Sequence, residues 1–256
     1  MASIRELQDY LRSAAAHSHE VYACPPFHLY LHETDTFRFF NYAIPDRPLD
    51  ALAVVQLEAL RTAFADRGRK LRIEYLHEYA PLLRAALDAL SVPLDGENPL
   101  LVCTPETWVS VAGPEGLQCL RLTPDSGEHD LADYIETQSR GFGDEGRGAS
   151  TEHIADLRRR LSLGNGAILA RVGEEPVATG ATTAPLNGFT ELVGIATLPE
   201  HRRQGIAGAL TALLAAGAFE SGVHTAFLTA ADEDASRVYQ RSGFRRVGTG
   251  LAYGDP

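Results

Sequence analysis

The run Arg202-Arg203-Gln204-Gly205-Ile206-Ala207-Gly208 sets two cations beside a bare glycine at the point where a helix should begin. The first turn of a helix has main-chain N–H groups with no intrahelical partner, and the helix dipole favours negative charge there. Glycine at 205, alanine at 207 and glycine at 208 leave no bulky side chain in the way, so a pyrophosphate could approach the main chain itself. Taken alone, the glycines favour a helix packed closely on a sheet. Upstream, Glu191 lies in an alternating stretch and on strict alternation shares a face with Val193 and Ile195. Such a carboxylate either stands in water at the sheet's edge or is partly buried, where desolvation disfavours its charged form. Other groupings carry less. His28 and His32 share a strand face without a third ligand, which favours a solvated face over zinc. The run Arg158-Arg159-Arg160 reads as the wet side of a helix, and no Ser or Cys lies in a nucleophile motif.

These residues need a scaffold, and the chain from Cys119 onward spells one out. A short strand is expected at 120–122 and a helix at 130–139. A glycine-rich loop follows at 141–148, without the Gly-Lys-Ser/Thr of a phosphate cradle. A second helix starts near Thr151 and puts Ile154, Leu157 and Leu161 on one side. Three strands at 167–172, 177–183 and 190–197 turn at Gly173-Glu174-Glu175-Pro176 and at Asn187-Gly188. A loop at 199–205 leads into an alanine-rich helix over 205–219. A strand at 225–229, a helix at 234–241 closed by Gly243, and a strand from Phe244 complete the order α-α-β-β-β-α-β-α-β. The expectation is an α/β (α+β mixed-sheet) fold. Turn formers between Trp108 and Leu117 suggest a linker dividing a domain at 1–112 from one at 117–256.

Here the sequence resembles a known family, the GNAT acyl-CoA N-acyltransferases. Their signature is Arg or Gln, two residues, Gly, one residue, then Gly or Ala, after a strand and a short Pro-containing loop. Ile195-Ala196-Thr197-Leu198-Pro199-Glu200-His201-Arg202-Arg203-Gln204-Gly205-Ile206-Ala207 follows it, and Ala235-Ser236-Arg237-Val238-Tyr239-Gln240-Arg241-Ser242-Gly243-Phe244 looks like the family's last helix. The resemblance covers roughly 120–252. It implies that Arg202 heads the cosubstrate motif, and that Arg203, Gln204, Gly205, Ile206, Ala207 and Gly208 offer main-chain N–H groups to the pyrophosphate of acetyl-CoA. Ile195, Ala196 and Thr197 would run beside the pantetheine arm, with one of their N–H groups polarising the thioester carbonyl. Tyr239 would protonate the leaving thiolate, and Glu191 would serve as general base. No metal is implied. One departure is Asp232, where many members carry an Asn that contacts CoA; an aspartate cannot donate as that amide does, and it is not assigned to the cosubstrate.

The amino-terminal half reads as a worn copy. Setting Tyr239 on Leu87 gives an offset of 239 − 87 = 152, which places the helix at 205 on one near Ala53 and the strand 225–228 on 73–76. Shifted by one more, Ala196-Thr197-Leu198-Pro199 lies beside Ala43-Ile44-Pro45. The copy has no glycine in Pro45-Asp46-Arg47-Pro48-Leu49 and a leucine for the tyrosine, so it reads as a degenerate, CoA-incompetent GNAT-like accessory domain.

Composition bounds the rest. The chain has 256 residues and a net charge of −11, which disfavours a grip on nucleic acid. No uncharged run is long enough to span a bilayer, and Arg5, Glu6 and Asp9 interrupt any signal-peptide core. Three cysteines, Cys24, Cys103 and Cys119, without paired spacing suggest a reduced, cytoplasmic protein. The expected function is direct transfer of an acetyl group from acetyl-CoA to a primary amine of a small molecule, by a monomer or homodimer. The alternatives are a protein lysine or amino-terminal acceptor, and a non-catalytic acyl-CoA-binding module.

Overall fold

The computed structural model describes residues 2–33, 36–49, 51–144 and 148–255. Along the chain run α1 (Ile4–Ser18), β1 (Glu20–Cys24), β2 (Phe27–Leu31), β3 (Asn41–Pro45), α2 (Val54–Ala65), β4 (Arg72–Leu76), α3 (Pro81–Ala89) and β5 (Leu94–Cys103). Then follow β6 (Leu117–Arg121), α4 (Glu128–Gly141), α5 (Thr151–Ser162), β7 (Gly166–Val172), β8 (Glu175–Thr182) and β9 (Phe189–Thr197). The last elements are α6 (Ile206–Glu220), β10 (Thr225–Thr229), α7 (Glu233–Gln240) and β11 (Arg245–Gly254). This is the mixed α/β order expected. Of the loop expected at 141–148, residues 145–147 lie outside the described residues.

The chain divides into two compact units. The first comprises Met1–Leu100, Thr229–Asp232 and Val247–Pro256, the second Leu101–Leu228 and Glu233–Arg246. The division expected at 1–112 and 117–256 therefore needs correcting at both ends. β11 runs antiparallel to β4, from Gly250↔Leu76 to Gly254↔Arg72, which makes it a strand of the first unit. Residues 101–103 of β5 belong to the second unit, where β5 neighbours β10. Most of β11 thus belongs to the first unit, and β5 is divided between the two.

The stretch read as a linker is also part of the second unit. Its turn formers are real, yet Trp108 Nε1 donates to the Ala212 carbonyl at 2.9 Å and Val109 N–H to the Ser242 carbonyl at 3.1 Å. The Thr107 carbonyl comes so close to Gly243 that a Cβ there would lie 1.9 Å from it.

In the first unit the strand order is β1-β2-β3-β4-β11-β5, antiparallel along β1-β2-β3 and parallel between β3 and β4. α1 begins with a capping box. Ser3 N–H donates to Glu6 Oε2 at 2.8 Å, Glu6 N–H donates to Ser3 Oγ at 3.3 Å, and Leu7 and Tyr10 are buried.

In the second unit the order is β5-β10-β9-β8-β7-β6. α4 and α6 cover opposite faces of this sheet. Gly180 points at α6, since a Cβ there would meet Leu214 at 2.8 Å and Leu210 at 3.2 Å. Thr179, the next residue along β8, is opposite Ala196, which touches Gly141 of α4. On the α4 side, Leu131, Tyr134, Ile154, Leu157, Leu161 and Leu169 form the core, so the expected apolar face of α5 is the buried one. Arg159 and Arg160 pair with Asp156 at the surface. Arg158 departs from the solvated reading: it reaches in to the Pro124 carbonyl at 2.5 Å and the Ser126 carbonyl at 3.1 Å.

Candidate active site

β9 and β10 start side by side and then part. Their parallel register runs through Thr225↔Phe189, Ala226↔Thr190 and Phe227↔Glu191, while residues 192–197 of β9 pair with β8 alone. The result is a fork, open where β9 carries Ile195, Ala196 and Thr197.

Within the open stretch β9 contains a bulge. Opposite residues step from Ala181↔Val193 to Thr179↔Ala196, so three steps on β9 match two on β8. Gly194 absorbs the extra residue at φ 61°, a left-handed conformation that glycine adopts without strain. The bulge overturns the alternation expected from sequence. Thr190 lines a cavity with Leu213, Leu214 and Gly217 of α6, which puts Glu191 and Val193 on the α4 face. Ile195, 3.4 Å from the position of a Gly180 Cβ, lies on the α6 face. Glu191 and Ile195 therefore do not share a face. Glu191 is partly buried, with its N–H on Thr183 Oγ1 at 2.9 Å, and about 13 Å of strand separates it from Ile195.

After Thr197 the chain makes a 3-10 turn at Pro199–His201 and enters the glycine loop. Arg203 has φ 63° and Gly205 φ 84°, and this left-handed corner turns the chain into α6. Gly205 is the N-cap, so no side chain caps the helix; the first helical bond is Ala209 N–H to the Gly205 carbonyl at 3.1 Å. The N–H groups of Ile206, Ala207 and Gly208 precede that bond, and among the described residues no atom beyond the adjoining backbone lies within 4 Å of where a Gly205 Cβ would stand. Arg203 and Gln204 are exposed at the same corner.

Arg202, expected at the cosubstrate, has its guanidinium directed elsewhere. Nε donates to the Thr197 carbonyl at 3.1 Å and Nη2 to the Gly141 carbonyl at 2.9 Å. Its side chain shapes the loop by tying the end of β9 to the end of α4.

Tyr239 lies half-buried near the end of α7, whose Val238 adjoins the first turn of α6 at Gly208. Its carbonyl accepts from Ser242 Oγ at 2.8 Å and Ser242 N–H at 3.0 Å, which fastens the helix end. The structure thus brings together the α6 corner, the end of β9 and the helix bearing Tyr239, with Glu191 at the far end of the open strand. Among the described residues, one set of three metal-type side chains converges, Glu175, Glu200 and His201. It does not include His28, which pairs with Asp46.

Sequence reasoning missed Gln138 and Tyr134 of α4. Gln138 Nε2 donates to the Gly194 carbonyl at 3.2 Å and to Tyr134 Oη at 2.9 Å. Burial pushes the Tyr134 hydroxyl above the ordinary tyrosine range, so it stays protonated. An isolated glycine inside a strand was a legible bulge signal; the helix side chain that holds the bulge had none.

The residues fit an acyl-CoA. Uncapped N–H groups beside exposed Arg203 suit a pyrophosphate. Thr197 Oγ1 is buried without a partner among the described residues, as expected beside an arm that carries amides.

Comparison with known proteins agrees with this geometry. Residues 131–244 match the Acetyltransferase (GNAT) family. A GCN5-related N-acetyltransferase from Kribbella flavida is 27% identical, with a TM-score of 0.80 over 100% of this chain and 96% of that one. A GCN5-related N-acetyltransferase from Sphaerobacter thermophilus shares the fold, at 15% identity and TM-score 0.67 over 90% of this chain and 76% of that one. So does a tandem GNAT protein from the clavulanic acid biosynthesis pathway, at 13% identity and TM-score 0.60 over 90% and 78%. No curated protein sequence matches the chain.

Proposed function

With residues 131–244 forming a domain of the GNAT acetyltransferase family, we propose that the protein moves an acetyl group from acetyl-CoA directly to a primary amine of a small molecule. The observation that carries this reading is the fork: β9 leaves β10 after Glu191 and ends at an uncapped helix start. Acetyl-CoA supplies the acetyl group and a thiolate leaving group. The N–H groups of Ile206, Ala207 and Gly208, with those of Arg203, Gln204 and Gly205, hold the pyrophosphate. A main-chain N–H of Ile195, Ala196 or Thr197 donates to the thioester carbonyl oxygen, where charge develops as the amine attacks. Glu191 takes the proton lost by the amine, through a water across the length of strand that separates them. The C–N bond forms, the C–S bond breaks, and Tyr239 gives its proton to the departing sulfur. Transfer is direct and the kinetics sequential. The protein acts in the cytoplasm as a monomer or homodimer, with neither metal, nucleic acid nor membrane required.

The test is thiol release by the full chain from acetyl-CoA, offered polyamines, amino sugars, amino acids and a lysine-bearing peptide in turn. Release that depends on one small amine supports the proposal. Release with the peptide alone would move the acceptor to protein lysines, and tight acetyl-CoA binding with no release would make the domain a binding module.

A further inference from the structure

We infer that Gln138 is a positioning residue for the acyl donor: by holding the Gly194 carbonyl, it aims the Ile195 N–H at the thioester oxygen. The inference rests on the acetyl-CoA reading above and adds a residue outside the family signature.

In a regular strand a carbonyl lies in the sheet and bonds a neighbouring strand. The Gly194 carbonyl, inside the bulge, meets a helix side chain, Gln138 Nε2, at 3.2 Å, with Thr179 Oγ1 also near it at 3.5 Å. The amide's orientation follows from chemistry, because a carbonyl only accepts and so the Nε2 side must face it. The second N–H of that Nε2 is also used, on Tyr134 Oη, so the side chain is held at two points. Tyr134 is 2% exposed and packed in the α4 core, which makes it a rigid support.

The next step is peptide geometry. The Gly194 carbonyl and the Ile195 N–H belong to one planar trans unit and point in opposite directions. Fixing the carbonyl toward α4 fixes the Ile195 N–H away from α4. Gly194 also leaves room for this contact, since a Cβ there would stand 2.5 Å from Gln138 Nε2. One turn further along α4, Gly141 touches Ala196 and accepts from Arg202, so the helix end grips β9 at two heights. A donor aimed in advance costs no reorganisation when charge develops on the oxygen.

The experiment uses the full chain and acetyl-CoA labelled with carbon-13 at the thioester carbonyl, read by infrared difference spectroscopy, with CoA affinity measured by calorimetry. In the wild type the bound carbonyl stretch should fall below that of free acetyl-CoA, reporting polarisation. Gln138→Met should lose most of that downshift while CoA affinity stays within about twofold, because no CoA contact is removed. Gln138→Lys, which keeps a donor of similar reach, should restore part of it. Where Gln138→Met does not fold, Tyr134→Phe is read instead and should show a smaller loss in the same direction. A full downshift in the folded variants overturns the inference, as does a wild type that binds acetyl-CoA with no downshift. A tenfold loss of CoA affinity in Gln138→Met also overturns it, by making Gln138 a binding residue. A wild type that binds no CoA sinks the acetyl-CoA reading itself, which is a separate failure.

Discussion

Both units carry a parallel strand pair followed by a helix start, and they treat the ends of those strands in opposite ways. In the first, β3 pairs with β4 at Ala43↔Ile73 and ends two residues later at Pro45. In the second, β9 runs on through residues 192–197 after leaving β10. The first unit also spends its own side chains on main-chain groups at its strand and helix ends. Gln8 Oε1, on α1, accepts the Leu76 N–H at the end of β4 at 2.8 Å. One turn on, Arg12 donates to the Pro45 and Asp46 carbonyls at 2.9 and 3.0 Å and to Tyr79 Oη at 3.0 Å. At the start of α2, Gln56 Oε1 takes the Ala53 N–H at 2.9 Å. Buried main-chain groups must find partners. The first unit finds them internally, whereas the second presents its corresponding groups at an open corner.

The contrast can be broken at several points. The largest effect is expected at Glu191. Glu191→Gln keeps the shape and removes the proton acceptor, so turnover should fall by about 10²–10⁴-fold, and the rise of rate with pH expected of the wild type should disappear. A change below about threefold, with the pH profile intact, would return Glu191 to a structural place in the strand. Next is Gly205→Asp, which sets a carboxylate on a left-handed corner beside the anion site. CoA affinity should drop at least about a hundredfold, roughly 2.8 kcal/mol. Calorimetry on the unaltered chain should give one site; a second site, or one that survives this substitution, would erase the difference between the units.

Arg12→Met probes the closed side. Leaving two carbonyls without their charged donor should cost the first unit about 2 kcal/mol, read by denaturant unfolding, with CoA affinity unchanged. A fall in CoA affinity would mean that α1 serves the second unit's site. The smallest effect is expected for Tyr239→Phe: about a tenfold fall in turnover, below the usual range for acid catalysis because a thiolate already leaves well, at unchanged CoA affinity. Full turnover would leave the hydroxyl without a catalytic part.

The legible features were those set by local geometry. β10 runs over Thr225–Thr229 as expected, and α6 starts at Gly205 because a left-handed N-cap with open space above it selects glycine. A helix start near Ala53 and a strand over 73–76 were legible too, since α2 begins at Val54 and β4 covers Arg72–Leu76. What escaped depends on partners far along the chain. The segment after Trp108 reads as a linker until its bonds to Ala212 and Ser242 are seen, more than a hundred residues away. Ile195 was put on the wrong face because strict alternation ignored the bulge that Gly194 announces. Strand pairing is not local, so nothing in the composition of 245–254 says that β4 will be its neighbour.

That pairing has a consequence for how the protein is made. The first unit is complete only with residues 247–255: His77 N–H needs the Thr249 carbonyl at 2.8 Å, Asp88 receives the Tyr253 hydroxyl at 2.9 Å, and Asp255 pairs with Arg61. On the ribosome those residues appear 247 − 76 = 171 or more positions after β4 and after all of the second unit's sequence. The half that is translated first therefore waits with an unfilled strand position, an exposed edge of the kind that invites wrong pairing. Closure at such sequence separation is slow. The second unit should become resistant to protease before the first one does.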